Sequence, residues 1–120
     1  MNDQDTTLAQ LRARARAFNE ARDWARYHSP RNLAMALSVE AAELLELYLW
    51  CEDGGPQPAV TSRSPKVADE MADVLLCLLN LAEKTGVDLA AALESKMVRN
   101  EAKYPPAVAR GRMEKWDELE

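Results

Sequence analysis

Along most of this chain apolar residues recur at three- and four-residue steps, the period of an α-helix. The first such stretch runs from about Leu8 to Tyr27. Leu8, Leu11, Ala15, Phe18 and Arg22 fall near one stripe, and Arg12, Arg14 and Arg16 spread around the rest. Thr7-x-x-Gln10 ahead of it has the form of a capping box. His28-Ser29-Pro30 breaks the pattern, with Ser29 placed to cap a second helix and Pro30 to open it. That helix, from about Arg31 to Trp50, is apolar nearly all round, with Glu40, Glu43 and Glu46 as its only acids. Such a helix is buried on most sides, which in a chain this short predicts packing against another subunit as well. Residues 51–64, CEDGGPQPAVTSRS, read as a loop. Ser64-Pro65 opens a third helix reaching about Thr85 and stopped by Gly86. Asp88 caps a fourth, Leu89 to Lys103, ended by Tyr104-Pro105-Pro106. The remainder, 107–120, is mixed in charge and reads as a loose extension or a short helix that docks on a neighbour.

The expected architecture is all-α, a four-helix bundle with its middle two helices antiparallel. The expected organisation is one domain over residues 1–106 and a tail over 107–120. The polar positions then carry the information. On the third helix Lys66, Glu70, Asp73, Asn80 and Lys84 recur at three-, four- and seven-residue steps, a single stripe that also holds Cys77. Glu70 and Asp73 are three apart, as are Glu40 and Glu43 on the second helix, so each pair shares a helix face. One E-x-x-E alone is most often a solvated face. Here the surroundings are Leu, Ala, Val and Met, and a carboxylate among them must be paired or bound to a cation. Two such helices side by side gather four carboxylates, which repel unless something positive lies between them. A divalent metal answers this, with Mg²⁺ the oxygen-preferring default.

Carboxylates without histidine beside them suit a hard cation and a phosphate-bearing substrate, whose charge the metal neutralises. The fourth helix supplies Lys96, Asn100 and Lys103 at i, i+4 and i+7, with Tyr104 at its end. Trp24 and Trp50 lie at or near the ends of the first two helices, where an indole can stack on a nucleobase or anchor a core. His28 reads as a structural hydrogen-bonder, and Glu46 and Asp69 as salt-bridge or surface residues.

Composition narrows the classes. The 120 residues are 48% hydrophobic, lack isoleucine and carry a net charge of −5. This favours helices over strands and argues against a general nucleic-acid surface. Cys51 and Cys77 form no metal motif and demand no disulfide, which fits a reducing cytoplasm. The polar start MNDQDTT does not read as a signal peptide, and no apolar run spans a bilayer.

In order along the chain, Phe18 to Trp24, His28-x-Pro30-Arg31-Asn32-Leu33, Glu40-x-x-Glu43, twenty-six further residues, Glu70-x-x-Asp73, Val87-Asp88-Leu89 and Lys96-Met97-x-x-Asn100-x-x-Lys103-Tyr104-Pro105 form one pattern. Over residues 11–106 it resembles the all-α nucleoside triphosphate pyrophosphatases, the MazG-like group, and within them the dCTP pyrophosphatase branch. The resemblance implies Mg²⁺ held by Glu40, Glu43, Glu70 and Asp73. It implies hydrolysis of a nucleoside triphosphate between the α- and β-phosphates by water, one of these acids assisting. Lys96, Asn100, Lys103 and Tyr104 match the stretch that handles phosphates and sugar, and Trp24 and Trp50 match positions near the base. A homodimer or homotetramer, with sites assembled at subunit contacts, is also implied. Two positions depart from the branch: Cys77 stands where its members usually carry a tyrosine near the base, and Ala15 where some carry a histidine. Hydrolysis of dCTP or a modified dCTP, as pool house-cleaning, is the first expectation, and a broader dNTP pyrophosphatase the alternative.

Two other classes compete. A di-iron carboxylate bundle needs Glu-x-x-His pairs, and His28, the single histidine, lies outside both acid pairs. A non-catalytic helical interaction module would pair the acids with a partner's lysines or arginines and show no turnover.

Overall fold

A computed structural model of the chain describes residues 1–50 and 65–119. The expected loop over 51–64, the Ser64 cap and Cys51 lie outside the described residues. Within them every regular element is helical. These are α1 (Leu8–Ala21), a short 3₁₀ turn (Ala25–Tyr27), α2 (Pro30–Glu46), α3 (Pro65–Thr85), α4 (Leu89–Lys103), α5 (Pro106–Ala109) and a second 3₁₀ turn (Trp116–Glu118). The chain divides into two compact units, Met1–Gly86 and Val87–Glu120.

In the first unit, α3 packs on both α1 and α2. The expected caps are present. The Thr7 hydroxyl accepts from the Gln10 amide at 3.1 Å and the Thr7 amide donates back to Gln10 Oε1 at 2.7 Å. Ser29 Oγ accepts from the Asn32 amide at 3.1 Å, with Pro30 as the first helical residue. Gly86 ends α3 with φ +74°.

Two helices are shorter than the sequence suggests. The first stops at Ala21 rather than Tyr27. The Asp23 amide donates to the Glu20 carbonyl and the Trp24 amide to the Asn19 carbonyl, while Asp23 takes φ 53°. This is a Schellman ending with aspartate in the left-handed position that glycine usually fills, so no glycine announces it. The second stops at Glu46 rather than Trp50. Leu47, Tyr48 and Leu49 donate to carbonyls three residues back, and Trp50 turns left-handed with φ 64°.

α1 and α3 are joined by polar contacts that run in opposite directions along the two helices. Arg12 reaches Glu83 at 3.2 Å and the Ala82 carbonyl at 3.3 Å, Arg16 reaches Glu83 at 3.5 Å, and Asn19 Nδ2 donates to Asn80 Oδ1 at 3.0 Å. The pair is therefore antiparallel. Ala15 and Asn19 on α1, Leu33 on α2 and Val67, Leu79 and Ala82 on α3 are buried. Yet α2 is not enclosed by its own chain: Met35, Val39 and Leu45 are each more than half exposed, as is Met71 on α3.

In the second unit Asp88 caps α4 by accepting from the Ala91 amide at 2.9 Å. After Tyr104 the chain makes the single turn of α5, reverses through Gly111 at φ +73° and returns to α4. The tail expected to be loose or to dock elsewhere thus contacts its own helix.

Nothing lies within 4 Å of a Cβ added at Gly86, so its requirement is purely conformational. Gly86→Ala is expected to cost about 1 kcal/mol through the left-handed φ. In urea unfolding this appears as a lower midpoint with an unchanged slope.

Candidate active site

Glu40 and Glu43 lie one turn apart on α2, and Glu70 and Asp73 one turn apart on α3. Where the two helices meet, one carboxylate oxygen from each of Glu40, Glu43 and Glu70 falls within 4.8 Å of the others. Asp73 stands outside that trio but near enough that its charge acts on both Glu40 and Glu70. Glu43 acts on Glu70, whereas Glu40 and Asp73 act on Cys77. The order is reversed on the two helices, as in an antiparallel pair.

The environment of these acids is unfavourable to their charge. Glu40 and Glu70 are half-buried, and Oε2 of each is sealed from water without a hydrogen-bond partner. Glu40 is held above the ordinary glutamate value of 4.5, first by a hydrogen bond it shares with Glu43 when one of them is protonated, then by burial, then by the charges of Glu43, Asp73 and Glu70. Glu70 is raised first by burial, then by the charge of Glu43 and a hydrogen bond with it, then by Asp73 and Asp69. Burial also pushes the Cys77 thiol up, with Glu40 and Asp73 adding to it. Orphaned carboxylate oxygens converging from two helices fit a hard divalent cation, which would supply their missing partner. Glu40, Glu43 and Glu70 would hold it, with Asp73 beside them.

A groove of about 340 Å³ runs between α1 and α3, lined by Leu11, Ala15, Phe18, Leu76 and Leu79, with Arg14 and Asp73 as its charged members. Asp73 thus belongs both to the surroundings of the acid cluster and to an apolar cleft. Residue spacing hinted at the α1 stripe but not at its opening beside Asp73, which depends on how α1 crosses α3.

The aromatic candidates differ in setting. Trp24 sits edge-on to Phe18, with centroids 5.6 Å apart and ring planes at 76°. Phe18 in turn lies 3.8 Å beneath the Arg22 guanidinium. Trp50 is 95% exposed. His28 is half-buried and lines a polar recess with Asn19, Asn80 and Lys84. Lys96, Asn100, Lys103 and Tyr104 belong to the second unit. Lys96 and Lys103 are exposed, Asn100 is half-buried, and Tyr104 closes α4 by donating its amide to the Asn100 carbonyl at 2.8 Å. Sequence reasoning missed Trp116, whose ring lies 5.4 Å from Lys103 Nζ. An aromatic in a charged tail carries no periodic signal.

Comparison with known proteins adds the family. The MazG-like family profile matches residues 35–119. The chain is 41% identical over 117 residues to dCTP pyrophosphatase 1 of Homo sapiens, covering 96% of this chain and 69% of that one. This chain belongs to the MazG-like family. The dCTP pyrophosphatase 1 of Rattus norvegicus is 38% identical over the same coverage. A crystal structure of a pyrophosphatase from Archaeoglobus fulgidus superposes with a TM-score of 0.71 at 33% identity, covering 88% of this MazG-like chain and 98% of the other.

The raised acids set a pH dependence. Between 4.5 and the raised values the folded chain binds more protons than the unfolded one. The stability that Glu40 and Glu70 contribute therefore falls as pH rises through that window. Without divalent cation, Glu40→Gln and Glu70→Gln are expected to melt above wild type at about pH 8 and to converge with it near pH 4. Adding a divalent cation should raise the wild-type Tm more at pH 8 than at pH 5, and should raise that of neither variant as far.

Proposed function

We propose that this MazG-like chain is a Mg²⁺-dependent nucleoside triphosphate pyrophosphohydrolase that converts dCTP or a modified dCTP to the monophosphate and pyrophosphate, clearing it from the nucleotide pool. One observation carries the chemistry: three carboxylates from two packed helices converge, and two of their oxygens are sealed without a partner. The names of the human and rat relatives support the substrate.

When bound, Mg²⁺ would supply positive charge against the triphosphate and activate water for attack. Glu40, Glu43 and Glu70 would hold the ion with Asp73 beside them, and a carboxylate of this set accepts the proton of the attacking water. Water's oxygen bonds to the α-phosphorus, the bond to the α,β-bridging oxygen breaks, and pyrophosphate leaves. Lys96, Asn100, Lys103 and Tyr104 bind the phosphates and sugar through ammonium, amide and hydroxyl donors. Trp24 and Trp50 provide faces for the base. The alternative, a broader dNTP preference, draws support from Cys77, a small side chain in place of a tyrosine, and from the mainly apolar lining of the groove beside Asp73. Such walls read size and stacking more than hydrogen-bond pattern.

The active unit is a homodimer or homotetramer of four-helix bundles, in the cytoplasm, with residues 1–106 as the domain and 107–120 as its extension. The exposed Met35, Val39, Leu45 and Met71 support the assembly, because large apolar side chains left in water on paired helices favour burial against another copy. Sedimentation is expected to show a dimer or larger, and Val39→Glu with Leu45→Glu to shift it toward monomer. A wild-type monomer would contradict the assembly.

Product analysis tests the activity. With Mg²⁺, each dNTP and NTP that turns over is expected to give monophosphate and pyrophosphate, dCTP fastest, with no turnover when the metal is chelated. Glu43→Ala and Glu70→Ala should each reduce the rate on the order of a hundredfold or more. Orthophosphate as the product, or full activity in both variants, would refute the assignment. A protein that turns over no nucleotide at all would point to the interaction-module reading.

A further inference from the structure

The two residues at the end of α4 assigned to phosphate and sugar are both engaged by one tail residue. Trp116 places its ring 5.4 Å from Lys103 Nζ, and its backbone amide donates to Tyr104 Oη at 3.2 Å. Several features make this return specific. Pro105 precedes α5 in an extended conformation and Pro106 opens it. Gly111 reverses the chain at φ +73°, with nothing within 4 Å of where a Cβ would stand. Arg112 and Glu114 pair at 3.1 Å across one residue. The Glu118 amide donates to the Lys115 carbonyl at 2.8 Å, closing the turn that carries Trp116.

We propose that Trp116 is a positioning residue that presents Lys103 and Tyr104 to the substrate; the proposal rests on the role of those two residues given above. An indole suits the task for a physical reason. A carboxylate at the same place would neutralise the ammonium and compete with a phosphate for it. An aromatic face attracts the cation weakly and leaves its three N–H donors and its charge available. Its effect is to reduce the rotamer freedom of a long exposed side chain, which otherwise must be ordered when substrate binds. The backbone amide does the complementary thing for Tyr104. By occupying a lone pair of the phenol oxygen it leaves the hydroxyl hydrogen to donate outward, and it polarises that donor. Trp116 itself is 52% exposed, so it is not a core residue on which folding of α4 depends.

The test compares Trp116→Ala, Trp116→Phe, Lys103→Ala and the double variant Trp116→Ala/Lys103→Ala in full-length protein, with dCTP and Mg²⁺. Trp116→Ala is expected to raise KM about two- to fivefold with kcat within twofold, as fits an exposed cation–aromatic contact. Trp116→Phe, which keeps an aromatic face, should return KM close to wild type. In the Lys103→Ala background the tryptophan change should add nothing to KM. Independently of turnover, NMR of ¹³C-labelled lysine should show ring-current-shifted Lys103 side-chain protons that lose the shift in Trp116→Ala and keep it in Trp116→Phe. An unchanged KM in Trp116→Ala, an additive double variant, or a Lys103 resonance indifferent to Trp116 would overturn the proposal. Lys103→Ala with unchanged KM would instead remove Lys103 from the substrate, which is a failure of the functional reading and leaves the NMR result to judge the contact by itself.

Discussion

Like charge held close in a sparsely hydrated place is the interaction on which this structure turns. Glu40, Glu43 and Glu70 converge where α2 meets α3, with Asp73 alongside. Protein atoms do not satisfy all of that charge: two oxygens have no partner, and the pKa values of Glu40 and Glu70 rise. A fold optimised for its own stability would place leucine at these points. The α2–α3 contact is therefore stable against repulsion because of the apolar residues around the acids, and it is most comfortable when a cation completes it.

The remaining packing follows from that contact. α3 faces α2 with Glu70, Asp73 and Cys77, and faces α1 with Asn80 and Glu83. Its polar stripe is thus shared between two neighbours in succession. The Asn19–Asn80 hydrogen bond and the Arg12 and Arg16 contacts with Glu83 fix the register of α1 on α3. That register opens the apolar groove onto Asp73. Exposed ion pairs add little energy individually, so their value here is orientation more than strength.

The two units solve different problems. The first gathers acids, and the second carries amines, an amide and a phenol along α4 and its cap. In the second unit a charged tail folds back through Gly111 and sets an indole beside the last lysine of the helix. The MazG-like family match, over residues 35–119, extends over parts of both units.

Much was fixed by the chain's local chemistry. Helical period, the Thr7, Ser29 and Asp88 caps, Pro30 and Pro65, and Gly86 determine where α1, α2, α3 and α4 begin and where α3 stops, because caps and breakers act within one turn. The two i, i+3 acid pairs in apolar surroundings pointed to the cation cluster for the same local reason. The early end of α1 was not legible, since aspartate rarely takes the left-handed place that Asp23 occupies. Nor was the standing of Asp73 just outside the trio, the groove at its side, or the return of Trp116 to Lys103. Each of these depends on the crossing of helices or the path of a reversal, distances between residues far apart in sequence that no local pattern encodes. Sequence decided which faces carry charge; tertiary structure decided which of those charges meet.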